Sequence, residues 1–117
     1  MAQHLDLEID QGADRTFELQ LEDCFGGAVD LTGFTGRMQV RAGPMGRKAD
    51  ELTTENGRIE IESNLVRLIF THAVTEKLPS TPPEAPGLAY DLEIVSTGGE
   101  VSRVCEGAFI VHPNITR

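Results

Sequence analysis

Aromatic side chains are scarce in this chain of 117 residues. It has no tryptophan, one tyrosine (Tyr90) and five phenylalanines. Sugar-binding β-sandwiches usually bind their ligands on a platform of exposed Trp or Tyr rings, which combine an apolar face with a polar end. Tyr90 falls on the apolar side of its segment, so we expect it in the core with its hydroxyl near an edge. The composition therefore weakens a glycan-binding function without excluding it.

Cysteine is rarer still, and the two cysteines, Cys24 and Cys105, lie far apart in the sequence. Neither stands in a local pattern typical of cysteine proteases. We expect two small, buried or half-buried thiols, because free cysteine packs like a small apolar residue. A disulfide between them requires that their strands be neighbours, which the sequence leaves open.

Positive charge is also in short supply, since 10 basic residues accompany 19 acidic ones and the net charge is −9. Proteins that bind nucleic acid or anionic membranes need a basic face that neutralises phosphates. We therefore predict neither partner. No apolar run approaches the roughly 20 residues needed to span a bilayer. The N-terminal "MAQHLDLEID" lacks the basic and apolar regions of a signal peptide, which predicts folding in the cytoplasm.

Clusters of reactive side chains are missing as well. His4, His72 and His112 stand far apart, and none has a second ligand at the spacing of a zinc site. Asp10 and Asp14 flank a glycine turn without the spacing of an EF-hand loop, so we interpret them as solvated turn carboxylates. The chain has neither a G-x-S-x-G nucleophile elbow nor a glycine-rich phosphate loop. We predict no catalytic, cofactor-binding or metal-binding residues, no cofactor and no enzymatic activity.

What the sequence does contain is alternation of apolar and polar residues. This period of two is typical of strands with one buried face. In the first such segment Leu5, Leu7 and Ile9 point one way. The acidic residues of the first two segments are interpreted as the solvated faces of sheets: Asp6, Glu8, Asp10, Glu18 and Glu22. Seven strands are predicted, at 5–10, 15–23, 34–42, 58–63, 64–71, 88–96 and 100–113.

Between these strands the sequence predicts little helix. Only 71–79 has a helical pattern, with Thr71 as cap, Pro79 as stop, and Val74 and Leu78 placed to close one end of the fold. The polar stretch 43–57 is predicted to be an exposed loop, with at most a short irregular edge strand. The chain has no room for the long helices of an α/β fold.

These elements predict a single all-β domain spanning residues 1–117. We expect an antiparallel, immunoglobulin-like β-sandwich of about seven strands with one short helical turn. A small closed barrel is the main alternative.

Turn chemistry refines this prediction. Asn64 fits a turn that would join its two flanking strands into a hairpin. "YDLEIVSTGGEVSRV" (90–104) predicts a second hairpin, with Gly98 and Gly99 supplying the positive φ of a tight two-residue turn. The alternation of the last strand breaks near "CEGA", where we expect a bulge at Gly107.

Three segments together carry a resemblance to a known family: "VDLTGFTGRMQVR" (29–41), "GRIEIESNLVRLIFTHAVTEKLP" (57–79) and "GLAYDLEIVSTGGEVSRVCEGAFIVHPNITR" (87–117). They resemble the small β-sandwich proteins of bacteriophage tail modules, which are related to the N-terminal domain of baseplate upper proteins. Members typically read D-L-T-G-[YF]-x-x-x-M-Q-[IV]-R. They continue through a hairpin and a short helix ending in L-P, and close with G-x-Y-D-[LV]-E, G-E-V-x-R-x-x-E-G and P-x-[IV]-T-R.

The resemblance implies a structural virion protein of a phage tail or baseplate. Such a protein acts as an adaptor that links the tail to fibres or receptor-binding proteins. It would be assembled in the host bacterial cytoplasm, with other tail, baseplate or fibre proteins as partners and a trimer or ring as the homo-oligomer. A glycan-binding or host-surface-binding module is the alternative function. We expect the strand at 4–10 and the strand at 100–111 to be sheet edges onto which a partner could add a strand.

Overall fold

The computed structural model describes residues 3–22, 25–42, 46–80 and 87–115. Within these ranges the chain forms two facing sheets and one short helix, so the predicted all-β sandwich is confirmed. The strands are β1 (Gln3–His4), β2 (Leu7–Asp10), β3 (Arg15–Gln20), β4 (Thr35–Arg41), β5 (Lys48–Thr53), β6 (Ile59–Glu62), β7 (Leu65–Phe70), β8 (Leu88–Val95) and β9 (Val101–His112). The helix α1 (His72–Thr75) lies between β7 and β8.

The two sheets differ in size and direction. The large sheet has the order β1–β9–β8–β4–β5, with β2 continuing the line of β1 along β9, and the small sheet has the order β3–β7–β6. All pairs are antiparallel except that β1 and β2 run parallel to β9. The prediction of a purely antiparallel sheet is therefore wrong at this edge. β2 is followed in the chain by β3 of the small sheet, and the chain reaches β9 only much later. A long connection of this kind is what two parallel neighbouring strands require.

Two differences raise the strand count above the predicted seven. The first predicted strand is interrupted between β1 and β2, and β5 lies inside the segment that was predicted to be mainly a loop. The sequence of β5 is largely polar, so its one buried residue, Leu52, does not produce a strand pattern. Leu52 pairs with Met38 of β4. Residues 43–45 of that predicted loop lie outside the described ranges.

The core lies between the sheets and follows the predicted alternation. Phe70 of β7 contacts Phe109 of β9 with ring centroids 5.3 Å apart, and Tyr90 of β8 packs edge-on against Phe109. The inward residues of the central strands are buried: Met38, Val40, Val66, Leu68, Phe70, Tyr90, Leu92, Ile94, Phe109 and Val111. Leu31 and Thr75 are equally buried, although neither belongs to an alternating segment.

The hairpin between β6 and β7 matches its prediction, because Glu62 pairs with Leu65 across the two-residue turn Ser63–Asn64. The hairpin between β8 and β9 also forms as predicted, but its turn differs. Its loop has three residues: Ser96 N donates to Glu100 O, and Gly99 N donates to Ser96 O. In such loops only the third residue adopts the left-handed conformation. Accordingly, Gly99 has φ +86° and Gly98 has no positive φ, so the predicted two-residue turn is wrong.

The bulge in β9 lies three residues before its predicted place. Leu92 pairs with Cys105 and Glu93 with Arg103, which leaves Val104 as the extra residue. Gly107 has a different role. A Cβ on Gly107 would collide with the carbonyl oxygen of Leu5, so glycine is needed where the chain between β1 and β2 passes close to β9.

The helix is a single short turn, as predicted, and it is capped by a residue from another segment. The side chain of Thr71 makes no capping hydrogen bond. Instead His72 N donates to Asp14 Oδ1 at 2.6 Å. The buried Thr75 donates its hydroxyl to Ala13 O, and the buried Leu78 closes this end of the sandwich as predicted. The helix is thus held by the turn that joins the two sheets.

Candidate interaction surface

The histidines and turn carboxylates of the sequence do not converge on one point. In the described residues no group of three or more His, Cys, Asp or Glu side chains could hold a metal ion. Each histidine pairs with one carboxylate instead, in the pairs His4–Asp6 (3.2 Å), His72–Asp14 (3.1 Å) and His112–Glu8 (2.8 Å). The sequence did not indicate these pairs as a set, because two of them join residues far apart in the chain. Among the helices of the described ranges, none is long and apolar enough to cross a membrane.

Tyr90 occupies the core with its hydroxyl near an edge, as predicted. Only 5% of the residue is exposed. Its hydroxyl donates to Leu5 O and contacts Cys105 Sγ at 3.1 Å. Burial, followed by the contact with Cys105, raises the pKa of Tyr90. Cys105 is a buried free thiol, whereas Cys24 lies outside the described residues.

The side of the sandwich formed by β5 and β6 is closed by an ion pair. Arg58 donates to both oxygens of Asp50, with Nη1–Oδ1 at 2.6 Å and Nη2–Oδ2 at 2.7 Å. The side chains are only 19% and 11% exposed, respectively. Arg58 also donates to Ile69 O and lies over the ring of Phe70. This contact, named here the Arg58–Asp50 clamp, joins the edge of the large sheet to the small one.

The opposite side, formed by β2 and β3 and called here the β2–β3 side, is open. The inward residues of β3, Phe17 and Leu19, are only half-buried, unlike those of the neighbouring β7. Where β3 ends and β9 begins, this side leads into a groove of 580 Å³. Five apolar residues line that groove: Leu21, Val29, Phe34, Ile94 and Val104. The loop that leaves it carries Phe25, which is 93% exposed.

The backbone of β3 has hydrogen-bonding groups that no described strand uses. Leu21 N donates to Asn64 O, so odd-numbered residues of β3 face β7. The even-numbered residues therefore direct their N–H and C=O groups away from β7: Thr16, Glu18 and Gln20. In the described part of the chain no strand pairs with β3 on that side. A free row of this kind is a template for strand addition.

Of the two predicted edges, one is confirmed and one is wrong. The segment at 4–10 is an edge, since β1 and β2 pair only with β9 within the described ranges. The last strand is not, because β9 pairs with β8 on one flank and with β1 and β2 on the other. The sequence missed β3 as an edge, since its alternation looks the same as that of an interior strand.

Charge is concentrated on the same side. Residues 3–22 contain one basic residue, Arg15, and six acidic ones, which gives a net charge of −5 in a chain whose total is −9. The acidic residues are Asp6, Glu8, Asp10, Asp14, Glu18 and Glu22, and all six are exposed, as the alternation predicted. The β2–β3 side is therefore acidic as well as open.

The motif residues that carry the family resemblance have structural roles. In "DLTG", the Asp30 carboxylate accepts hydrogen bonds from Thr32 N at 3.0 Å and from Thr32 Oγ1 at 2.6 Å, which closes a turn. Leu31 is buried and Gly33 has φ +80°. This stretch therefore fixes the entry into β4.

No protein-family model matches the chain, and a search among curated proteins finds no similar sequence. The resemblance to phage tail proteins consequently remains a prediction that rests on the three segments quoted above.

Proposed function

We propose that this protein is a structural virion component of a bacteriophage tail or baseplate, an adaptor that links the tail to fibres or receptor-binding proteins. The observation that carries this proposal is the contrast between its two sides. One is closed by the Arg58–Asp50 clamp, and the other presents the outer edge of β3, with which no described strand pairs, beside an apolar groove. A free edge beside a partly covered core is suited to binding another protein chain.

Two further observations support a structural role. The residues of the "DLTG" motif and of the β8–β9 hairpin build turns and core, as expected of a scaffold. The single tyrosine is buried, so it offers no stacking platform for a sugar. Other tail, baseplate or fibre proteins are the proposed partners, in an assembly built in the host bacterial cytoplasm with this chain as a trimer or ring.

The proposal is tested on particles. Phage particles from a host carrying this gene are purified by density gradient and analysed by quantitative mass spectrometry. We expect the protein at a fixed ratio to the tail proteins, with chemical cross-links to at least one of them. Particles that lack the protein would contradict the proposal. Binding of the isolated protein to host polysaccharide on a glycan array, together with such particles, would favour the glycan-binding alternative.

A further inference from the structure

The two edges of the small sheet are not equivalent. At β6, Arg58 bridges to the large sheet and Ile59 is buried, while Ile61 is half-buried. At β3, Phe17 and Leu19 remain half-buried. The ring of Phe17 packs edge-on against Phe70 at 5.9 Å, and the Arg15 guanidinium lies 4.6 Å from the centre of the same ring. One more strand beside β3 would cover these side chains and would satisfy the free N–H and C=O groups of the edge.

The alternation of β3 specifies what such a strand would carry. On an added strand, successive side chains point to opposite faces. Those on the inner face would meet Phe17 and Leu19, so they should be apolar. Those on the outer face would stand beside Thr16, Glu18 and Gln20, where Glu18 is the charged neighbour. The groove at the end of β3 offers further apolar surface, and Glu22 and Glu100 are the acidic residues among its lining.

Charge decides which chain fits. A second copy of this chain would bring its residues 3–22, with a net charge of −5, close to the same acidic residues, and like charges placed face to face suppress association. A partner with lysine or arginine on its outer face would be attracted instead.

We propose that the β3 edge binds an extended segment of a partner protein in which apolar residues alternate with lysine or arginine. The segment adds to the small sheet as a fourth strand. This inference rests on the proposed function, since it names the chemistry of the partner that the adaptor holds.

The two carboxylate partners of Arg67 provide a matched pair of variants. Arg67 lies on the central strand β7 and pairs with Glu18 on β3 at 3.0 Å and with Glu62 on β6 at 3.4 Å. Both carboxylates are exposed, by 56% and 76% respectively. Glu18→Lys and Glu62→Lys therefore each remove one ion pair with the same arginine and make the same change in charge. They do so at opposite edges of the small sheet.

The probe is a synthetic peptide of alternating valine and lysine, and its control alternates valine and glutamate. Both are titrated into the full ¹⁵N-labelled chain. We expect the Val/Lys peptide to bind, with the largest shifts at the amides of Thr16, Glu18 and Gln20 and with weaker binding at higher salt. Glu18→Lys should weaken binding about tenfold or more, whereas Glu62→Lys should stay within about twofold of the wild type.

Four results would each overturn the proposal: no binding of the Val/Lys peptide, equal binding of the Val/Glu peptide, shifts centred on β5 or β6, or an equal loss from Glu62→Lys. Dimerisation of the chain through β3, seen by sedimentation and abolished by Glu18→Pro, would identify a second copy as the occupant and would also overturn it. Absence of the protein from phage particles would instead refute the proposed function. The peptide titration would still show whether the β3 edge binds a Val/Lys strand.

Discussion

At the scale of single residues, the two adjacent glycines of the β8–β9 loop have different roles. Gly99 has φ +86°, a conformation that costs other residues free energy, although an added Cβ would meet no atom within 4 Å. Gly98 has no positive φ, and its added Cβ would meet only Ser96 Oγ at 3.9 Å. Neighbouring glycines can therefore differ in importance through the backbone alone.

We expect Gly99→Ala to destabilise the fold by about 1 kcal/mol because alanine is strained at positive φ. Gly98→Ala, its matched control, should change the free energy of unfolding by less than about 0.5 kcal/mol. Urea unfolding of both variants measures the difference. Equal losses would show that the loop uses the positive φ at both positions.

The Arg58–Asp50 clamp is the residue-scale feature with the largest expected energy. Removing one partner leaves the other charge largely buried, so Asp50→Ala should cost about 3 kcal/mol. The double variant Asp50→Leu/Arg58→Met should recover most of this loss, because it leaves no charged side chain buried between β5 and β6. Chemical unfolding gives both values.

The control for Asp50→Ala is a variant of the ion pair Arg37–Glu93. The distance from Arg37 Nε to Glu93 Oε1 is 2.8 Å, and the arginine side chain is 54% exposed. Arg37→Ala should cost less than about 1 kcal/mol, as exposed pairs do. If Arg37→Ala proved as damaging as Asp50→Ala, burial would not be what makes the clamp important.

At the scale of elements, α1 depends on a residue from the β2–β3 turn. One turn of helix is not stable by itself. Asp14 accepts the N–H of His72 and lies beside its ring, and Thr75 binds the same turn. The backbone hydrogen bond from His72, followed by its side chain, holds the pKa of Asp14 below its usual value of 3.8.

A lowered carboxyl pKa stabilises the fold above the unfolded pKa, and this stabilisation is lost as the pH falls below it. We therefore expect Asp14→Ala to lower the melting temperature at neutral pH. The difference from the wild type should shrink as the pH falls below 3.8. Thermal unfolding across this range is the measurement.

Thr71→Ala is the control for Asp14→Ala, because the Thr71 side chain makes no capping bond. It should change stability by less than about 0.5 kcal/mol at every pH. A large loss from Thr71→Ala, or a pH-independent loss from Asp14→Ala, would contradict this account of the cap.

At the scale of the whole molecule, the N-terminal strands belong to the core as well as to an edge. Leu7 and Ile9 of β2 are 4% and 2% exposed, and β2 pairs with β9 along its whole length. Burying two such side chains is worth on the order of 4 kcal/mol. That is a large share of the roughly 5–15 kcal/mol by which a domain is stable.

Deleting residues 1–10 should therefore abolish cooperative unfolding. Circular dichroism during urea titration gives the answer. A cooperative transition that is shifted only slightly would show that β2 is a detachable edge. Glu18→Lys is the sharper probe of the open side, because Glu18 is exposed and its loss leaves the core intact.

Much of the fold could be predicted because strand signals are local. Alternation placed β4, β7 and β8 and their buried faces correctly, since side chains on a strand alternate whatever it pairs with. The interior of "KADELT" has a single buried apolar residue, so β5 was predicted only as a possible irregular edge. β9 was wrongly predicted to be an edge of its sheet. Its second flank is covered by β1 and β2, which lie about a hundred residues earlier in the chain.

The sequence by itself determined that the chain is a β-sandwich, which face of most strands is buried, and that the acidic residues of its first two strand segments line the solvated faces. Only the tertiary structure decided that β3 is an edge that no described strand covers, that Arg58 and Asp50 close the other side, and that Asp14 caps α1. The physical reason is that edges, clamps and caps of this kind depend on which distant segments meet. The apolar pattern specifies that strands must pack together, but the choice of neighbours follows from the packing of the whole core.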